Sequence, residues 1–169
     1  MGKLVQVATE TVTSAVSTVE LSGINTDDVY MVTFHNVRPT VDNTIIQARI
    51  IKSDDTADST ANYDRAVKAL RADTTFTNVS SVNQTAFDVE QLGTGTGEAT
   101  NGIMYLYNFN NASEYNFVTS EMANYQATPI LIGGQGGFIH TIEQASKGLQ
   151  FFIASNTIAS GVFTMYKVI

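Results

Sequence analysis

Two histidines, sixteen acids and no cysteine bound the chemistry open to this chain. A general base near neutral pH is most often histidine. His35 lies in the apolar run "TFHNV" and His140 in "GFIHTI". Both runs read as strands and neither sits beside a nucleophile motif, so both are expected to be satisfied sheet histidines. No G-x-S-x-G elbow supplies a serine nucleophile. Paired carboxylates cleave glycosides when they face each other roughly 5 to 10 Å apart, usually beside aromatic platforms. The chain has no tryptophan and no spacing that pairs its acids, so no catalytic residue is assigned.

Metal and phosphate sites fare similarly. "DDTAD" (54–58) offers hard oxygen ligands at alternating positions, which suits calcium, but lacks the glycine and the twelfth-position glutamate of an EF-hand. It is predicted to be a solvated acidic loop. Without cysteine there is no disulfide, no thiol nucleophile and no thiolate zinc site. "GTGTG" (93–97) and "GGQGG" (133–137) miss the Walker and dinucleotide spacings and are read as turns that need positive φ. No metal and no cofactor are expected. The net charge of −7 disfavours a phosphate-tracking surface, so nucleic acid is not an expected partner. No run of 18 apolar residues and no secretory leader is recognisable, so no membrane partner is expected and the sequons at Asn78, Asn83 and Asn111 carry no meaning without a secretory route.

The densest recognition-type stretch is "MYLYNFNNASEYNFV" (104–118), where aromatics alternate with short amides. Strand alternation puts Tyr105, Tyr107 and Phe109 on one face. That face is expected to be core, the alternative being a surface for sugar or protein.

These residues hang on a chain that reads as strands throughout. Runs rich in Val, Ile, Tyr, Phe and Thr are "VSTVEL" (16–21), "VYMVTFHNV" (29–37), "TIIQARIIK" (44–52), "TAFDVEQL" (85–92), "GIMYLYNFN" (102–110) and "YNFVTSEM" (115–122). "TPILIGG" (128–134), "GFIHTI" (137–142), "GLQFFIAS" (148–155) and "SGVFTMYKVI" (160–169) complete the set. The last alternates Val162, Thr164, Tyr166 and Val168 against Phe163, Met165, Lys167 and Ile169, apolar on both sides, which predicts a strand inside a sheet. "ANYDRAVKALRAD" (61–73) has Tyr63, Ala66, Val67 and Leu70 at helical spacing, yet Tyr63, Val67 and Ala69 also fit a strand. Pro39 and Pro129 stand in turn contexts. With 43% hydrophobic and 15% charged residues over 169 positions, one folded domain spanning 1–169 is expected. Its class is an all-β, antiparallel β-sandwich of about 8 to 10 strands with at most one short helix.

From "VELSGI" near the start, through "YLYNFNNASEY", to the closing "F-T-M-Y", the sequence resembles the small virion structural proteins of tailed, marine cyanophage-like bacteriophages. The likeness runs from about Val16 to Tyr166, and the family's final "LYG" is "MYKVI" here. The resemblance implies a jelly-roll-like fold and a non-enzymatic role in the virion, assembled in the host bacterial cytoplasm. The role expected first is a capsid decoration or cement protein bound to the major capsid protein; the second is a tail-fibre or receptor-binding module for a host glycan. Apolar strand faces predict a homotrimer built on the aromatic strand faces, with the "DDTAD" loop exposed.

Overall fold

The computed structural model describes residues 2–126 and 130–169. Twelve strands form two antiparallel sheets, with no helix among the described residues. In chain order these are β1 (Leu4–Val12), β2 (Thr18–Ser22), β3 (Tyr30–Pro39), β4 (Thr44–Lys52), β5 (Tyr63–Arg71), β6 (Thr77–Gln84), β7 (Phe87–Leu92), β8 (Thr100–Tyr107), β9 (Asn116–Tyr125), β10 (Leu131–His140), β11 (Ser146–Ile153) and β12 (Ile158–Val168).

The large sheet runs β1-β12-β3-β8-β9-β10-β5-β6 and the small one β2-β11-β4-β7. The first four strands of the large sheet and the four of the small sheet make a jelly roll: β1, β12, β3 and β8 each continue to or from β2, β11, β4 and β7 in the facing layer. Two hairpins are inserted into that roll. β5–β6 lies between β4 and β7, and β9–β10 between β8 and β11; they pair with each other through β10 and β5 and double the width of the large sheet. β12 lies inside its sheet between β1 and β3, as its two apolar faces require.

The core follows from alternation. Tyr30, Val32 and Phe34 of β3, Met104 and Leu106 of β8, and Phe163 and Met165 of β12 point inward against Ile46, Ala48 and Ile50 of β4 and Leu149, Phe151 and Ile153 of β11. Phe34, Phe151 and Phe163 cluster with centroids 5.1 to 6.3 Å apart. A second cluster, Tyr63, Phe87 and Phe138, locks the inserted hairpins to β7 with centroids 4.8 and 5.2 Å apart.

Several expectations change. "ANYDRAVKALRAD" is strand β5, held by pairing on both sides to β10 and β6, which overrides its helical propensity. β1 and β6 raise the number of strands above ten. "GGQGG" is no turn: it lies inside β10, and none of its glycines has positive φ. There the missing side chain serves close approach, since a Cβ at Gly136 would stand 2.4 Å from the Ala66 carbonyl oxygen. "GTGTG" does form a loop, with Gly97 at φ 84°. Pro39 ends β3 opposite Ile158 rather than sitting beyond it. Pro129, placed in a turn by sequence, lies outside the described residues.

Candidate functional site

The small sheet covers part of one face of the large sheet; the other face carries no second layer among the described residues. In β9, Asn116, Val118, Ser120, Met122 and Asn124 turn inward while Phe117, Thr119, Glu121, Ala123 and Tyr125 turn outward. Register extends the outward set across the sheet. Tyr166, Met31, Tyr105 and Thr119 stand side by side in one row, and Thr164, Thr33, Ile103, Glu121 and Gln135 in the next.

Large apolar groups stand out of this face. Ile103, Tyr105 and Phe117 are 38, 39 and 42% exposed. Glycines and alanines flatten the neighbouring strip, with Ala123 facing Gly133 and Thr119 facing Gly137. Ile103, Tyr105, Tyr107, Thr119, Glu121 and Gln135 border a shallow depression of about 470 Å³. On its floor Gln135 donates an amide hydrogen to Glu121 at 3.2 Å, and the Tyr107 and Thr119 hydroxyls stand 3.4 Å apart. Such a surface offers flat aromatic area with a few polar groups, the composition found at contact surfaces.

The expectation that Tyr105, Tyr107 and Phe109 form a core face is therefore corrected. Tyr105 and Tyr107 face out, and only Phe109 is buried. Asn108 adopts φ 62° between them and breaks the alternation.

The two histidines separate. His35 is exposed, its Nδ1 3.3 Å from the Asn36 amide nitrogen. His140 is wholly buried at the end of β10, with Nε2 3.2 Å from an Asp58 carboxylate oxygen and its ring 4.6 Å from Tyr63. This overturns half of the loop expectation. Asp54 and Asp55 are exposed, but Asp58 is buried. The Thr60 hydroxyl and amide donate to Asp58 at 2.6 and 2.8 Å, and the Tyr63 hydroxyl donates to its carbonyl at 2.6 Å. Burial raises the Asp58 pKa, but these Thr60 bonds with His140 and Gln144 outweigh it and leave it lowered. Burial lowers that of His140 in spite of Asp58.

Ser146 lies nearby, yet its hydroxyl donates to Asn116 at 2.7 Å, not to His140. The arrangement ties the 53–62 connection to the sheet and assembles no nucleophile with its base. Among the described residues no three His, Cys, Asp or Glu side chains cluster as metal ligands.

Neither a known protein family nor a curated protein matches the chain. Solved structures similar to it include the infectious bursal disease virus VP2 subviral particle and the infectious bursal disease virus Gx strain, with TM-scores of 0.16 and 0.14 and 11% identity to each. The alignment takes in the whole of this chain and spans 41% and 40% of those chains. Likeness at that level carries no argument, and the functional reading rests on the sequence and on the geometry above.

Proposed function

We propose that this chain is a non-enzymatic virion structural protein, a decoration or cement subunit that docks on the major capsid protein at the outside of a phage head. The observation that carries the reading is the open outer face of the eight-stranded sheet, where Ile103, Tyr105 and Phe117 project beside a flat strip of Gly and Ala. Contiguous exposed apolar area of this kind marks protein contact surfaces, and aromatic groups dominate their energetics. The resemblance of the sequence to tailed-phage virion proteins supplies the partner, and host cytoplasm followed by the virion supplies the place. A homotrimer formed around the same aromatic strand faces would cover part of this area and present the rest to the head.

Copy number tests the reading: quantified against the major capsid protein in purified virions, hundreds of copies support decoration and a few tens place the protein in the tail. Tyr105→Lys with Phe117→Lys should abolish co-sedimentation with heads while the fold persists. Light scattering of the isolated protein tests the trimer, and a monomer at high concentration refutes it. The depression beside Tyr105 and Tyr107, with its Glu121–Gln135 pair, favours one second reading, a tail receptor-binding module for host glycan. Glycan binding lost in the same double variant would support that alternative.

A further inference from the structure

Beyond β7 the small sheet ends while the large sheet continues, so β7 covers β5 and β10 at Tyr63 and Phe138 and leaves the rest of their inner faces, with that of β6, past its edge. A cleft of about 330 Å³ opens there, with Val67, Val79, Met122 and Ile132 among its walls. That volume lies at the lower end of the range for small-molecule sites, roughly 300 to 1,000 Å³.

One carboxylate, Glu90, lines the cleft. One of its oxygens accepts the Gln91 amide hydrogen at 2.8 Å. The other stands over β10, 3.0 Å from where a Cβ on Gly134 would be. Of the cations on the walls, the Lys68 ammonium stands 3.7 Å from the Phe76 ring centroid, and the two guanidinium groups are engaged with carboxylates, the buried Arg65 Nε lacking a hydrogen-bond partner among the described residues. Arg65 donates to the Asp88 carbonyl at 2.9 Å and lies 3.4 Å from the Asp88 carboxylate, while Arg71 makes a two-pronged contact with Asp73 at 3.0 and 3.0 Å. Glu90 has no ion-pair partner among the described residues, and burial raises its pKa against the weaker pulls of the Gln91 amide and Arg65. A half-buried acid with no ion pair of its own, in a cleft of ligand size with Val67, Val79 and Ile132 on its walls, is complementary to a cation with an apolar body.

We propose that this cleft binds a small organic cation, a primary ammonium on a short apolar chain, with the ammonium on Glu90 and the chain along Val67, Val79 and Ile132. An extended peptide is the poorer occupant. It would have to pair with the free edge of β7, and carbonyls there are taken: Asp88 by Arg65, and Gln91 by Asn124 at 2.8 Å and Thr100 at 3.2 Å. The site is independent of the outer face and of any virion role.

The test is an amide chemical-shift titration of the whole protein with n-hexylammonium chloride, 1-hexanol serving as the uncharged probe. Saturable shifts confined to β5, β6, β7 and β10 are expected, with hexanol at least about tenfold weaker, a difference of about 1.4 kcal/mol. Glu90→Gln should weaken hexylammonium binding by a similar factor. Gly134→Ala should do so without altering charge, because its methyl would sit 3.0 Å from Glu90 and 3.3 Å from the Met122 methyl. Equal binding of both probes, undiminished binding by Glu90→Gln, or no saturable shift in the cleft would overturn the proposal. If either variant fails to fold, the two-probe comparison on the unmodified protein decides alone.

Discussion

Mild acid should loosen the corner where β5, β10 and the 53–62 connection meet. His140 is the reason: its side chain is 0% exposed, and burial holds its pKa below the ordinary value although the Asp58 carboxylate pulls the other way. In the unfolded chain the imidazole titrates near 6.5. Below that pH the unfolded state takes up a proton that the folded state refuses, so stability is full above it and falls with pH until the folded imidazole itself titrates. For one proton, lowering the pH from about 7.5 to about 5.5 costs up to about 1.4 kcal/mol. Asp58, whose pKa is lowered, acts in the same direction further down: its contribution is present above the ordinary carboxylate value and lost as pH falls through its folded one. Urea unfolding followed by far-UV circular dichroism at the two pH values, on the protein and on His140→Gln, isolates the histidine. The variant should be less stable at both values yet lose about 1 kcal/mol less on acidification. Parallel pH profiles for the two proteins would refute a neutral buried His140.

Three further outcomes follow from packing. Tyr63→Phe removes a hydroxyl that donates to the Asp58 carbonyl at 2.6 Å and accepts from the Ile50 amide at 3.1 Å, so two buried groups lose partners; about 2 to 4 kcal/mol should disappear in the same urea assay. Phe151→Ala empties the centre of the three-phenylalanine cluster and should cost about 3 to 5 kcal/mol. Gly148→Ala would force a Cβ to within 1.8 Å of the Leu21 carbonyl oxygen, breaking the β2–β11 ladder, and should lower stability by about 3 kcal/mol or more. A thermal midpoint unchanged from the parent would contradict that close approach.

How much of this was legible in the sequence depended on how each strand meets the core. β4 was readable as a strand, because "TIIQARIIK" buries Ile46, Ala48 and Ile50 and leaves Gln47 and Arg49 half-exposed, while the isoleucine pairs at its ends hide that Ile45 is exposed and Ile51 buried. β6 was not: "TNVSSVNQ" is an edge strand mostly exposed along its length, so no alternation marks it. β5 misled toward helix because its inner residues include Arg65 and Arg71 beside the cleft, where an apolar period of two would otherwise show. Asp58 and His140 carry no local signal at all; only the fold brings together residues 82 positions apart, 140 minus 58.

The outer face shows the same limit in its sharpest form. Alternation tells which residues share a side of a strand, and a one-residue offset exchanges the two sides. In β8 both sets are apolar, Met104 and Leu106 against Ile103, Tyr105 and Tyr107, so period alone cannot say which set is core. What decides is the register of β8 on β3, which pairs Met104 with Val32 and Leu106 with Tyr30 on the side of the small sheet. Met104 and Leu106 then face the small sheet, and Ile103 and Tyr105 face outward. The inserted hairpins double the large sheet without adding a strand to the small one, and the β7 edge is closed by Arg65, Asn124 and Thr100 rather than by a fifth strand. They extend that outer face through Phe117 and Gln135 and, on the inner side, open the Glu90 cleft past the edge of β7.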